Sequence, residues 1–137
     1  PPRSTLFPYT TLFRSTNIGM ERIAQYEHEL TRYLYDRLAQ LPQLKLYGPK
    51  PKADGSGRAA IATFTVANLH AQDLSTFLDQ TGIAIRSGHH CTQPLHRFLG
   101  TDSTARASLY FYNTYEEIDS FVAALKDTIE FFGNIFD

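Results

Sequence analysis

The sequence predicts an α+β fold: a small, mostly antiparallel sheet covered by helices. Three observations lead there. A stretch near each end carries apolar residues at helical spacing, and short apolar or β-branched runs bounded by turn residues lie between. The order of patterns is α-β-β-α-β-β-α, with strands too short and too few for a doubly wound parallel sheet.

From Ile18 to Leu41 the apolar residues Ile23, Tyr26, Leu30, Tyr33, Leu34, Leu38 and Leu41 form one stripe of a long amphipathic helix, which Pro42 ends. Residues 44–47 are a short strand candidate closed by Gly48-Pro49, and residues 50–57, with Pro, Asp, Gly and Ser, form an exposed loop. Residues 58–67, nearly continuous in apolar and β-branched types, are expected to be a buried strand. His70 to Gln80 fits a helix with Leu74, Phe77 and Leu78 inward and Gly82 just past its end. Residues 83–86 suit a short strand that feeds a polar loop, and residues 94–99 suit one or two helical turns. Ala105 to Tyr112 is the last strand candidate. Thr114-Tyr-Glu-Glu117 then matches a capping box, opening a helix that uses Ile118, Phe121, Val122, Leu125 and Phe132 and is expected to end at Gly133.

The 137 residues suffice for one domain with one core. Thirteen basic residues nearly balance fourteen acidic ones, so no basic stripe argues for nucleic acid and no polybasic segment for a membrane surface. One cysteine makes no internal disulfide, and a reducing, cytoplasm-like compartment is the expectation. No apolar run approaches the roughly 20 residues that span a bilayer. Residues 1–15 contain three prolines, no acidic residue and a near-repeat, Ser4-Thr-Leu-Phe7 against Thr10-Thr-Leu-Phe13. They are read as an adaptor-like, non-native segment, with a transit peptide as the weaker alternative.

The chemistry concentrates in Arg86-Ser-Gly-His-His-Cys91-Thr-Gln-Pro-Leu95, which holds the only cysteine. A thiolate is a nucleophile and a metal ligand, and cations and histidines beside a thiol favour it. Arg86, His89 and His90 all lie within five residues of Cys91. The residues alone leave alternatives open. A lone cysteine is often structural. Adjacent His-His-Cys without a Cys-x-x-Cys pair is a poor zinc pattern. A Cys-His hydrolase needs its base oriented by a third group, which sequence-adjacent histidines seldom supply.

The run, continued through His96, resembles the active-site loop of SufS-type (group II) cysteine desulfurases, members of the class V aminotransferase family. The likeness extends from about Thr16 onward through Asn17-Ile-Gly-Met-Glu-Arg-Ile23, Tyr47-Gly-Pro49, Leu69-His70 with Asp73-Leu74, Gly82-Ile-Ala-Ile-Arg86 and residues 105–114, in the same order. It leans toward forms from photosynthetic lineages. The resemblance implies the C-terminal small domain of a fold-type I enzyme dependent on pyridoxal 5′-phosphate, over residues 16–137. It implies that the cofactor activates L-cysteine as an electron sink, that Cys91 takes the sulfur as a persulfide, and that alanine leaves. The sulfur would go to iron–sulfur cluster assembly, and activity on selenocysteine is known in the family. Arg106 matches the arginine that grips the substrate carboxylate, a task suited to a planar guanidinium. Arg86 matches an arginine near the thiol, which steadies the sulfur or anchors the loop. His89 and His90 are expected to shape the loop, and His70 to cap its helix.

Two departures from the family pattern carry expectations of their own. The family holds its cofactor on a lysine in a Ser-x-His-Lys context, and none of Lys45, Lys50, Lys52 and Lys126 has that context. The chain is therefore expected to be a fragment without the large cofactor domain, inactive alone, with Ile18 and Tyr26 left uncovered. The intact enzyme is expected to be a homodimer in the cytoplasm, or in the plastid stroma of a plant or alga. Gln72 stands where family members served by a zinc-bearing SufU-type acceptor have histidine. Glutamine is a poor zinc ligand, so a SufE-like acceptor is expected. The alternative reading is a free-standing binding or scaffold module that kept the fold and lost the chemistry.

Overall fold

The structure is a computed structural model and describes residues 15–136, so residues 1–14 of the adaptor-like segment lie outside it. In chain order the elements are α1 (Met20–Leu38), β1 (Leu44–Tyr47), β2 (Ile61–Val66), α2 (Ala71–Gln80), β3 (Arg86–Gly88), α3 (Gln93–Leu99), β4 (Thr104–Ser108) and α4 (Tyr115–Phe136). The sheet order is β1-β2-β4-β3, and every neighbouring pair is antiparallel. The expected α+β class and helix-covered sheet are what the chain adopts.

The register divides the sheet into two faces. Leu46 opposes Phe64, Phe64 opposes Ala105 and Ala62 opposes Ala107, which puts these residues on the side that carries the helices. There Ala62, Phe64, Ala105 and Ala107 join Leu30, Leu34 and Leu38 of α1, Leu74 and Leu78 of α2, and Ile118, Val122 and Leu125 of α4 in one buried cluster, with half-buried Leu46 packed against it. Each fully buried Leu, Ile or Phe side chain stabilises by roughly 1.5–3 kcal/mol relative to an exposed one, so this layer holds the domain together. The other face runs Tyr47, Thr63, Arg106, Arg86 in one row across all four strands.

Several element boundaries differ from expectation, each for a local reason. Gly19, at φ 95°, breaks the helical run of residues 15–18 from α1, which starts at Met20. β2 begins at Ile61 because Arg58 is engaged elsewhere. Its guanidinium donates to the carbonyls of Pro49 (2.8 Å) and Ile61 (2.6 Å) and stacks over Tyr35, clamping the preceding loop. β2 is not buried on both sides; its residues alternate between half-buried and buried because helices cover one face only. Residues 83–85 do not pair, and β3 is Arg86–Gly88, set by its register on Thr104–Arg106. β4 stops at Ser108. Asn113 then folds the chain back, its side-chain oxygen accepting from the Tyr110 N–H at 2.8 Å.

The capping box forms as expected: Glu117 N–H donates to Thr114 Oγ1 at 3.2 Å, and Thr114 N–H donates to Glu117 Oε2 at 3.0 Å. The last helix passes Gly133, which is unstrained there, and runs to Phe136. Ile18 is 43 % exposed. Tyr26, expected to be uncovered too, is instead half-buried, with its hydroxyl on the Asn113 carbonyl (2.9 Å) and its ring edge-on to Tyr115. Among the described residues no helix is long and apolar enough to cross a membrane.

Candidate active site

The site is built at the β3–β4 edge of the sheet, on the face without the main helices. Arg86 and Arg106 are direct cross-strand partners there. Like charges placed opposite one another in a sheet are destabilising by some tenths of a kcal/mol to about 1 kcal/mol. Arg86 is exposed and Arg106 half-buried, and the buried Nε of Arg106 has no hydrogen-bond partner. Two guanidiniums turned to one surface form a receptor for a carboxylate or another planar anion.

From β3 the chain enters a turn in which Thr92 N–H donates to the His89 carbonyl at 2.8 Å. The two central residues, His90 (φ 51°) and Cys91 (φ 62°), both have positive φ, the pattern of a type I′ turn. That turn favours Gly, Asn and Asp, because a Cβ in the left-handed region costs roughly 1–2 kcal/mol per residue. The chain thus places its one cysteine in a strained position at a turn tip, where Cys91 is free and exposed.

Polar contacts from α3 and β4 hold the turn. His90 Nε2 lies 3.1 Å from the Thr104 carbonyl and 3.0 Å from Thr104 Oγ1. The same hydroxyl lies 3.0 Å from Nε2 of buried His96, whose Nδ1 meets the Thr92 carbonyl at 3.1 Å. Burial holds His90 below the ordinary histidine range, and the charges of Arg106 and, more weakly, His96 and Arg86 push the same way. His90 therefore shares an electrostatic environment with both arginines of the row.

The sequence-based candidates thus come together in part. Arg86 and Arg106 meet across the sheet, and the neighbouring turn presents Cys91. His90 shapes the loop, as expected, while His89 is exposed and stacks its ring edge on His96. His70 caps α2, its Nδ1 accepting the Gln72 N–H at 3.2 Å. Thr104 and His96 were not legible as site residues. Their only trace is the spacing Thr92 to His96, one helical turn, and the contact with Thr104 needs the tertiary fold. Ser87 was missed as well. It sits on the helix-covered face, donates to Gln72 Oε1 at 2.8 Å and accepts from Ser75 Oγ at 3.1 Å, tying β3 to α2.

Residues 10–121 match the family model for aminotransferase class-V. The chain belongs to that family. Among curated relatives of this class-V chain, a probable cysteine desulfurase from Synechocystis is 61% identical over 119 residues, 87% of this chain and 28% of the relative. A probable cysteine desulfurase from Halalkalibacterium halodurans is 45% identical over 120 residues, 88% of this chain and 28% of the relative. Among solved structures, the apo cysteine desulfurase of Thermococcus onnurineus NA1 superposes with TM-score 0.76 at 34% identity, over 84% of this chain and 28% of that one. The cysteine desulfurase CsdA of Escherichia coli, in an S-sulfonic acid form, gives TM-score 0.67 at 32% identity, over 77% and 25%. This class-V chain therefore spans between a quarter and a third of the length of these relatives.

Proposed function

We propose that this chain is the nucleophile-bearing small domain of a SufS-type cysteine desulfurase, dependent on pyridoxal 5′-phosphate. In the net reaction L-cysteine gives up its sulfur to the Cys91 thiol, leaving L-alanine and a Cys91 persulfide. The observation that carries the reading is the facing pair Arg86 and Arg106 beside a turn that exposes Cys91. Arg106 holds the substrate carboxylate, Arg86 adds a second positive charge beside the sulfur, and the strained turn keeps the thiol at the surface.

The described residues do not by themselves fit the cofactor. Lys45 lies on β1, at the sheet edge opposite β3, with its ammonium over the Tyr47 ring; Lys50 and Lys52 sit in the β1–β2 loop and Lys126 on α4. Under this reading the cofactor, which supplies the electron sink when bound, is held by residues of the enzyme beyond this stretch. The intact enzyme is a homodimer under this reading and delivers sulfur for iron–sulfur clusters through a SufE-like acceptor. The acceptor assignment is supported by Gln72, whose side-chain oxygen is taken up by Ser87 and whose amide is a poor zinc ligand.

A graft tests the proposal. Residues 16–137 replace the matching stretch of the Synechocystis relative, and L-alanine release from L-cysteine is measured. The graft is expected to be active, Cys91→Ala to abolish release, and Arg106→Ala to raise KM by about tenfold or more, the worth of a charge-assisted hydrogen bond. A graft that binds the cofactor yet releases alanine equally well with Cys91→Ala refutes the assignment.

A further inference from the structure

Thr92, the residue after Cys91, is held from two sides. Its N–H and its Oγ1 both donate to the His89 carbonyl, each at 2.8 Å, which closes the turn. Its own carbonyl lies 3.1 Å from Nδ1 of His96, one helical turn further on. A carbonyl oxygen only accepts, so that contact needs a proton on His96 Nδ1. The Thr92 hydroxyl, 3.5 Å from the same nitrogen, spends its one proton on His89 and cannot serve a bare Nδ1. In the neutral ring Nε2 is then bare, and Thr104 Oγ1, 3.0 Å away, is placed to donate to it. His90 Nε2 faces the Thr104 carbonyl at 3.1 Å, so it carries a proton and can share it with the same hydroxyl oxygen at 3.0 Å. One assignment of protons satisfies all of these contacts, and His96 is only 4 % exposed, so water hardly competes for its ring.

We propose that His96 is a positioning residue for Cys91: its ring braces the Thr92 end of the turn against Thr104 of β4 and so holds the strained backbone that aims the thiol. The proposal rests on the reading of Cys91 as the nucleophile and goes beyond it by naming what keeps the nucleophile in place. Two successive non-glycine residues at positive φ, His90 and Cys91, persist only where the surroundings over-determine them. The hydrogen bonds on Thr92 do so from one side of the turn, and the bond from His90 to Thr104 does so from its middle. His96 is the side chain that joins the two, because it meets Thr92 through one nitrogen and Thr104 through the other. Transfer of sulfur needs the thiol within attack distance of the substrate, and a small misplacement there is costly. Arg106, which grips the carboxylate under the same reading, makes none of these bonds. His96 therefore acts on the transfer step and leaves substrate binding alone.

The test starts with the 137-residue chain labelled with nitrogen-15 and read by NMR. The expected result is a proton on His96 Nδ1, and a bare Nδ1 overturns the proposal. His96→Gln sets its amide near the place of Nε2, so it keeps a partner for Thr104 and frees the Thr92 carbonyl. His96→Asn does the reverse. A brace needs both ends, so in each variant the Thr92 amide should exchange with water about tenfold faster than in the unaltered chain, roughly the worth of one hydrogen bond. Unchanged Thr92 exchange in a folded variant overturns the proposal, and if one variant does not fold the other decides. In the graft, each variant should lower kcat for alanine release by about tenfold or more with KM for L-cysteine unchanged. A merely structural histidine would shift the melting temperature and leave kcat of the folded graft as it was, and that result overturns the proposal too. If the unaltered graft releases no alanine, the desulfurase reading fails, and the His96 tautomer and Thr92 exchange still decide the brace.

Discussion

Arg86 and Arg106 stand directly opposite each other across the β3–β4 pair, two cations on one face of a small sheet. Nothing in the folding of an isolated domain favours that arrangement, and an anion between them does. Under the proposed function the site therefore appears in the register as a local conflict between stability and binding.

The conflict has a measurable sign. Arg86→Thr places a good strand former opposite Arg106 and should stabilise the isolated chain by about 0.5 kcal/mol, while weakening substrate binding in the graft. Thermal melts check the first part, and a lower melting temperature for the variant contradicts it.

The turn carries a second conflict. Cys91 sits at φ 62°, which glycine adopts without penalty. Cys91→Gly should raise stability by about 0.5–1 kcal/mol, the relief of a left-handed Cβ less the added freedom of the unfolded chain. Urea unfolding measures it. The same variant should take up no sulfur.

Thr104 joins two imidazoles through one hydroxyl. Thr104→Val keeps the shape but leaves His96 Nε2 buried and without its partner, which should destabilise the chain by about 1–3 kcal/mol. Thr104→Ser should recover most of that loss. Equal denaturation midpoints for the valine variant and the unaltered chain contradict a stabilising role for the Thr104 contacts.

The pH dependence follows from His90, whose folded-state pKa lies below the ordinary 6.5 because of burial, Arg106, His96 and Arg86, with the Thr104 carbonyl opposing in part. Below pH 6.5 the unfolded chain takes up the proton before the folded one does. The His90 contribution is thus fully present above that pH and is lost as pH falls toward the folded pKa. Stability compared between the unaltered chain and His90→Asn from pH 8 down to about 5 isolates it. The difference should shrink as pH falls, and a difference that grows contradicts the shift.

How much of this was legible in the sequence depends on whether a signal is local. The α1 stripe and the Thr114–Glu117 capping box rest on neighbours in the chain, and the structure repeats them, although α1 ends at Leu38, ahead of Pro42. The composition of Arg58 and residues 83–85 suits a strand, but strand pairing is decided by the partner. Arg58 clamps a loop, and β3 pairs only where Thr104–Arg106 lies alongside. Cys91, Arg86 and Arg106 enter as candidates through a family resemblance, and the structure sets the two arginines opposite each other. Neither the positive φ at His90 and Cys91 nor the Thr104–His96 contact leaves a local pattern, since His-Cys does not signal a type I′ turn and the Thr104 contacts join residues from three separate segments.

The measurement that tests the central claim most directly is mass spectrometry of the grafted enzyme after brief exposure to L-cysteine without an acceptor. The account predicts one extra sulfur on the Cys91 peptide, removed by a reducing thiol, with alanine released in equal amount in the first turnover. Alanine released with no sulfur on Cys91, or sulfur held elsewhere, would contradict it.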